Sequence, residues 1–301
     1  QTEGLKTITW PNNVIWNGGN EPTMQSITAI TAGNIDTTFD VGIGFDGGIS
    51  SNMIIQPDGK IVVGGGFTSY DGTESYFIIR LNSDGSVDST FNVGSGFNNV
   101  VNSMALQPDG KILVSGSFTS YNEVGSNYLI RLNPDGSIDN TFDIGTGLNN
   151  RAWGIALQPD GKIILVGTFT TYNESSFNHI IRLNSDGSVD NTFDIGTGFG
   201  SEAFRAIIQP DGKIIVSGFF TTYKGVGVNR IIRLNSDGSV DNTFSSGSGF
   251  NNYAEPIALQ PDGKIIVGGF FTSYNGVSSN YIIRLNSDGS VDNTFDIGNG
   301  F

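Results

Sequence analysis

Cysteine is absent from the 301-residue chain, which removes disulfide frameworks, thiolate nucleophiles and cysteine-ligated zinc. Histidine occurs once, at His179. Histidine-cluster metal sites are therefore excluded, and a Ser-His-Asp triad could form at one place at most. Cations are scarce, with 15 Lys plus Arg against 29 Asp plus Glu and a formal charge of −14. A field of that sign repels phosphate backbones, so neither nucleic acid nor an anionic membrane surface is an expected partner. No apolar run approaches the roughly 20 residues of a membrane helix, and membrane insertion is not expected. Proline numbers only 9, and the 43 glycines follow no Gly-X-Y period, which rules out collagen. Disorder is excluded from the other side, because 21 Phe and 9 Tyr supply ample core material.

What the chain does contain is a period. The string QPDGK starts at Gln56, Gln107, Gln158, Gln209 and Gln260, each 51 residues after the last. The arginine of an R-L-N-x-D-G string keeps the same register at Arg80, Arg131, Arg182, Arg233 and Arg284. A closing T-F pair ends at Phe91, Phe142, Phe193, Phe244 and Phe295. Tandem copies without an insertion or deletion are one structural element repeated. Within the last unit the strand-like runs are PIALQ, KIIVGGFF, YIIRLN and SVDNTF, punctuated by Asp-Gly and Asn-Gly. No helical stripe of useful length occurs, and Gly recurs too often for helix interiors. Four short antiparallel strands in about 50 residues, repeated, predict an all-β chain and a β-propeller of four-stranded blades.

The QPDGK and R-L-N-x-D-G-S-[VI]-D-x-T-F strings resemble the delta-60 repeat, a family of bacterial and viral propeller repeats, over residues from about 33 to 301. That resemblance implies a fold and no agreed activity. Residues 32–45, AGNIDTTFDVGIGF, align with the end of a unit, and LKTITW, NVIWN and SITAI precede them. Residues 1–45 are therefore read as a degenerate first blade or an N-terminal β arm, ahead of five 51-residue repeats in 46–301. Six blades are expected, with five as the alternative. Trp10, Pro11, Val14, Trp16, Gly18, Gly19, Pro22 and Thr23 also make residues 8–24 resemble a segment of tailed-phage fibre and virion proteins. This second resemblance implies a virion component, and Gln1 and Phe301 are read as cut ends of a longer protein.

Propeller topology puts the first-to-second and third-to-fourth strand turns on one face. These are the near-invariant QPDGK and N-[SP]-D-G-S turns, where φ > 0 favours Asp-Gly. The opposite face carries the divergent stretches. Its expected ligand-binding residues are Arg151, Trp153, Glu202, Phe204, Arg205, Tyr253 and Glu255, because exposed aromatics with Arg are typical binding anchors. The competing reading is free drift of duplicated loops, with Trp153 plugging the central channel.

Other motifs are weaker. N-x-D-G-x-x-D, as in Asn82, Asp84, Gly85 and Asp88, resembles part of a calcium loop, but Gly falls at position 4 and Val93 at position 12. A hairpin turn is expected there, with no metal and no cofactor. The same string fails the S-x-D-x-G-x-x-W box of propeller sialidases. The repeated arginines are expected to pair with a neighbouring Asp or with a carbonyl between blades. His179 takes a position filled elsewhere by Phe77, Tyr128, Arg230 and Tyr281, and a catalytic role is not expected of it. Glu202 and Glu255 could supply a carboxylate pair from adjacent blades, but no enzymatic activity and no catalytic residue is expected. The expected function is a structural or binding module of a phage or virus particle, in a tail fibre, spike or capsid-associated appendage. Its partners would be other virion proteins or a host cell-surface glycan or protein, with a homo-oligomer compatible. A secreted or bacterial cell-surface propeller is the alternative, and a propeller glycosidase the third reading.

Overall fold

The computed structural model describes residues 36–296 and residue 298. The expected degenerate blade or arm lies outside the described residues up to residue 35, as does the phage-like segment 8–24. Among the described residues every regular element is a β-strand, and the strands form five successive antiparallel blades. The third blade shows the pattern. Its inner strand Ala152–Leu157 pairs with the middle strand Ile163–Gly167, which pairs with the outer strand Ile180–Leu183. A small hairpin, Thr171–Tyr172 with Ser175–Ser176, sits between the middle and outer strands. The inner strands of neighbouring blades (Ile49–Ile55, Val101–Leu106, Ala152–Leu157, Ala203–Ile208 and Ala254–Leu259) lie against one another around the axis.

Burial explains the sequence pattern. Middle strands are covered on both faces, so they read as unbroken apolar runs, and Ile163, Ile164, Leu165 and Val166 are all at 0% exposure. The inner strand of the same blade alternates buried and half-buried positions, because one side looks toward the axis. The apolar clusters form between blades. One joins Ile54, Val62 and Ile78 to Val101, Met104, Val114 and Phe118 of the next blade.

The expected fourth strand is reduced to a single bridge, Leu183↔Val189 in the third blade and its equivalents elsewhere. The reason lies in the following residues. Asp190 turns its carboxylate back onto Thr192, accepting from its N–H at 3.0 Å and its hydroxyl at 2.7 Å, which ends the extended run. The chain then crosses to the next blade. Asp194 N donates to Asp237 O at 2.9 Å, and Phe199 bridges Tyr223. Residues 194–199 therefore edge the fourth blade, and residues 40–45 edge the first in the same way. A Cβ on Gly187 would stand 2.5 Å from Asp143 O of the arriving strip, and its φ is +94°, so the turn needs glycine twice over.

The repeated arginine joins these pieces, as expected. Arg182 Nε donates to Asp190 Oδ2 at 2.6 Å, and Nη2 donates to Thr192 Oγ1 at 3.0 Å. Its Nη1 donates to the carbonyl of Ser236 in the next blade, and its guanidinium lies 4.5 Å from the centroid of Phe193. Lys162 completes the ion pair at 2.8 Å from Asp190. Burial pushes the Asp190 carboxyl up, but hydrogen bonds from Lys162 and Thr192 and the charge of Arg182 outweigh it and hold the group well below the usual range. Its stabilising contribution is therefore full above the unfolded value near 4 and is lost as pH falls toward the depressed folded value. Acid unfolding followed by circular dichroism is expected to begin only below about pH 4. Arg182→Ala is expected to cost about 3 kcal/mol in denaturant unfolding, because it removes the buried partner of Asp190, which keeps only Lys162 as a cation, together with the cross-blade bond. Arg284→Ala should cost clearly less, since Arg284 is 19% exposed and makes no cross-blade carbonyl bond among the described residues. Equal losses would show that the cross-blade bond contributes nothing.

Candidate functional site

The QPDGK and N-[SP]-D-G-S turns share one face, tied by the Lys–Asp and Arg–Gln contacts. Its aspartates are occupied with their own turns. Asp84 Oδ1 accepts from the N–H and hydroxyl of Ser86 at 3.0 and 2.6 Å, so the calcium-like string forms a hairpin turn. Among the described residues no group of three or more acidic, His or Cys side chains is placed to hold a metal ion. The opposite face carries the residues singled out from the sequence, and the backbone presents them in an unforeseen way. They stand at the beginnings of the inner strands and the residues just before them, where each strand carries a bulge. The register slips between Ala152 and Gly154, between Ala203 and Arg205, and between Ala254 and Ile257. Trp153, Phe204 and Glu255 are the extra residues, and a bulge re-aims the side chain it carries. Gly154 is required beside the bulge, because a Cβ there would meet the Phe204 carbonyl of the next blade at 2.9 Å.

The bulges bring six of the seven residues into one strip across three blades. The Arg151 guanidinium lies 4.7 Å from the Trp153 ring centroid. Trp153 meets Phe204 edge-on at 6.5 Å, and Phe204 meets Tyr253 edge-on at 5.9 Å. Arg205 clamps the strip from beneath, donating to Trp153 O at 2.6 Å on one side and pairing with Glu255 at 3.0 Å on the other. The seventh residue, Glu202, accepts a backbone hydrogen bond from Phe219 through its own carbonyl and lies within electrostatic range of His179. Glu255 is thus neutralised by Arg205, while the charge of Glu202 acts on the histidine.

Two groups of residues were missed. Phe270 extends the strip, 4.9 Å from Tyr253, and is 61% exposed, and Phe219 is 46% exposed. The signal was present in the sequence, since the residue before the repeated Phe of the F-T string is Gly66, Ser117, Thr168, Phe219 and Phe270 in successive units. The second group is Phe77, Tyr128, His179, Arg230 and Tyr281, which read as a tolerant surface position. All five have φ between +65° and +68°. A non-glycine residue held in that region in every blade is strained backbone, over-determined by its surroundings. For His179 the surroundings are an N–H bond to Phe169 O at 2.9 Å and a carbonyl bond from Gly167 N at 3.1 Å.

His179 Nδ1 lies 3.0 Å from Gly167 O, and a carbonyl only accepts, so Nδ1 carries the proton. Burial lowers the pKa of His179 below its ordinary value and outweighs the Gly167 carbonyl and Glu202, both of which raise it. Titration of this only histidine by NMR is expected to give a value below 6.5. Glu202→Gln, which removes a raising charge, should lower it further, and an unchanged value would separate the two side chains.

Blades arranged around an axis, with the inner strands of successive blades in contact and the divergent side chains on one rim, define a β-propeller. Residues 56–91, 107–142, 158–193, 209–244 and 260–295 match a family described as "Domain of unknown function (DUF5122) beta-propeller". These segments make up more than half of the chain, and it belongs to that family. No curated protein matches it. Solved structures similar to it include a gluconolactonase from Xanthomonas campestris, 15% identical with a TM-score of 0.42, covering 72% of this chain and 68% of that one. An extracellular domain from B. thetaiotaomicron is 15% identical with a TM-score of 0.49, covering 84% of this chain and 29% of that one. A protein from Bacteroides caccae is 13% identical with a TM-score of 0.40, covering 79% and 78%. Likeness at this level concerns fold alone. It nevertheless corrects the expectation of a chain without enzymatic activity: propellers similar to this one include an enzyme, so the fold gives no ground for setting catalysis aside.

Proposed function

We propose that this propeller is a binding module that holds a saccharide against the strip formed by Arg151, Trp153, Phe204 and Tyr253. The observation that carries the reading is asymmetry. The strip occupies three successive blades, while the equivalent positions of the second blade are Val100, Asn102 and Ser103. A purely structural requirement of the fold would recur in every blade, as the Arg–Asp pairs do. Aromatic faces suit the apolar faces of sugar rings, and the neighbouring polar groups suit hydroxyls. Glu202 and Glu255 border the strip, so a ligand held there would lie beside carboxylates.

The setting proposed is extracellular, on a phage or virus particle. It is supported by the resemblance of residues 8–24 to tailed-phage fibre and virion proteins. The partner would be a host cell-surface glycan, with other virion proteins holding the disc. A glycan array probed with the purified chain, with Trp153→Ala and Phe204→Ala beside it, tests the reading. Each substitution is expected to weaken binding at least about tenfold, or roughly 1.4 kcal/mol, and assay of the bound glycans for released sugar would reveal turnover. Binding indifferent to both substitutions would move the ligand elsewhere. No binding by the folded chain would leave a structural role as the better reading.

A further inference from the structure

Lys and Arg are few in this chain, and almost all of them are already neutralised. Among the described residues every Lys and Arg but two makes an ion pair with a carboxylate. The two exceptions are Arg151 and Arg230, and both are on the variable face. Each is laid on an aromatic ring, Arg151 on Trp153 at 4.7 Å and Arg230 on Phe219 at 5.8 Å. Arg230 also donates from Nη1 to Phe250 O at 2.9 Å.

The same place is short of acceptors. Few buried side-chain polar atoms of the described residues lack a hydrogen-bond partner, and two of them are the donors Trp153 Nε1 and Arg230 Nε. A buried donor without an acceptor costs free energy. Neither arginine is demanded by the fold. The position of Arg151 holds Val100, Glu202 and Tyr253 in other units, and that of Arg230 holds Phe77, Tyr128, His179 and Tyr281. The geometry places the Glu202–Phe204 segment between them. Phe204 touches Trp153, and Phe219, which underlies Arg230, donates its N–H to Glu202 O at 2.9 Å.

We infer that the ligand of this face is a saccharide carrying a carboxylate, with the acid group taken by Arg151 and Arg230 and the ring lying on the aromatic strip. The inference rests on the saccharide-binding reading above and adds the charge of the ligand. Guanidinium groups bind carboxylates through paired, charge-assisted hydrogen bonds. A single carboxylate fits better than a polyanion, because the net charge of −14 repels an extended anionic chain. Glu202, on the same rim, disfavours a second acid group nearby.

The test is calorimetric titration of the whole chain with sialyllactose and with a galacturonic acid trisaccharide, each beside its carboxyl-reduced counterpart, and with heparin. At least one acidic sugar is expected to bind about tenfold or more tightly than its reduced form. Arg151→Gln and Arg230→Gln should each remove most of that preference, read as the ratio of acidic to reduced affinity within each variant, with unfolding midpoints showing that the variants are folded. Equal binding of acidic and reduced forms, weakened by Trp153→Ala, would overturn the inference and leave the aromatic platform standing. A preference that survives both arginine substitutions, or heparin binding more tightly than either acidic sugar, would also overturn it. Failure of every sugar to bind would overturn the platform reading as well.

Discussion

The structure depends on one contact that four of the five units make among the described residues, the bond from a buried arginine to a carbonyl of the next blade. Strands of four to seven residues cannot hold a blade upright by themselves. The guanidinium solves this by reaching three places at once. It binds the Asp that ends its own blade, the Gln of the first turn and a turn carbonyl of the neighbour. Five donors in a planar fork are what such a junction needs, and lysine could not replace them. The lysine that is present adds charge to the same carboxylate from the solvent side, so the acid is paired twice.

Because that junction works on one face, the other face is free to vary. The turns on the riveted side are held to Asp-Gly by positive φ and by the strip that packs against Gly187 and its equivalents. On the opposite side the inner strands begin with bulges, whose extra residue makes no ladder bond. Asn102, Trp153, Phe204 and Glu255 occupy that position in turn. A polar amide, an indole, a phenyl ring and a carboxylate are accepted at one backbone site without changing the strands behind it. Constancy and variation are thus divided between the two ends of the same short strands.

Much of this was legible beforehand. The period, the hairpin turns and the structural duty of the arginines follow from the strings themselves, because a residue present in every copy must serve every copy. The candidate residues were found by the reverse logic, as departures between copies, and Arg151, Trp153, Phe204, Arg205, Tyr253 and Glu255 do come together. The bulges were not legible. One extra residue reverses which side chains face the axis, and no residue type in these strands marks the slip. The left-handed residues were hidden for a similar reason: Phe77, Tyr128, His179, Arg230 and Tyr281 share a backbone angle and no chemistry. The fourth strand was over-read because SVDNTF has strand composition, yet its Asp and Thr bond to each other instead of to a ladder.

The strip that leaves each blade to edge the next has an evolutionary consequence. The sequence repeat and the structural blade are out of phase, so each copy brings the greater part of one blade and the margin of its neighbour. Duplication or loss of a whole copy then joins a departing strip to a blade built to receive it, wherever in the array the event falls. The number of blades can change by recombination between near-identical copies without any new joint having to arise. The bulge residues are among those that record which copy is which, and they are positions where a new copy can diverge without disturbing the strands behind them.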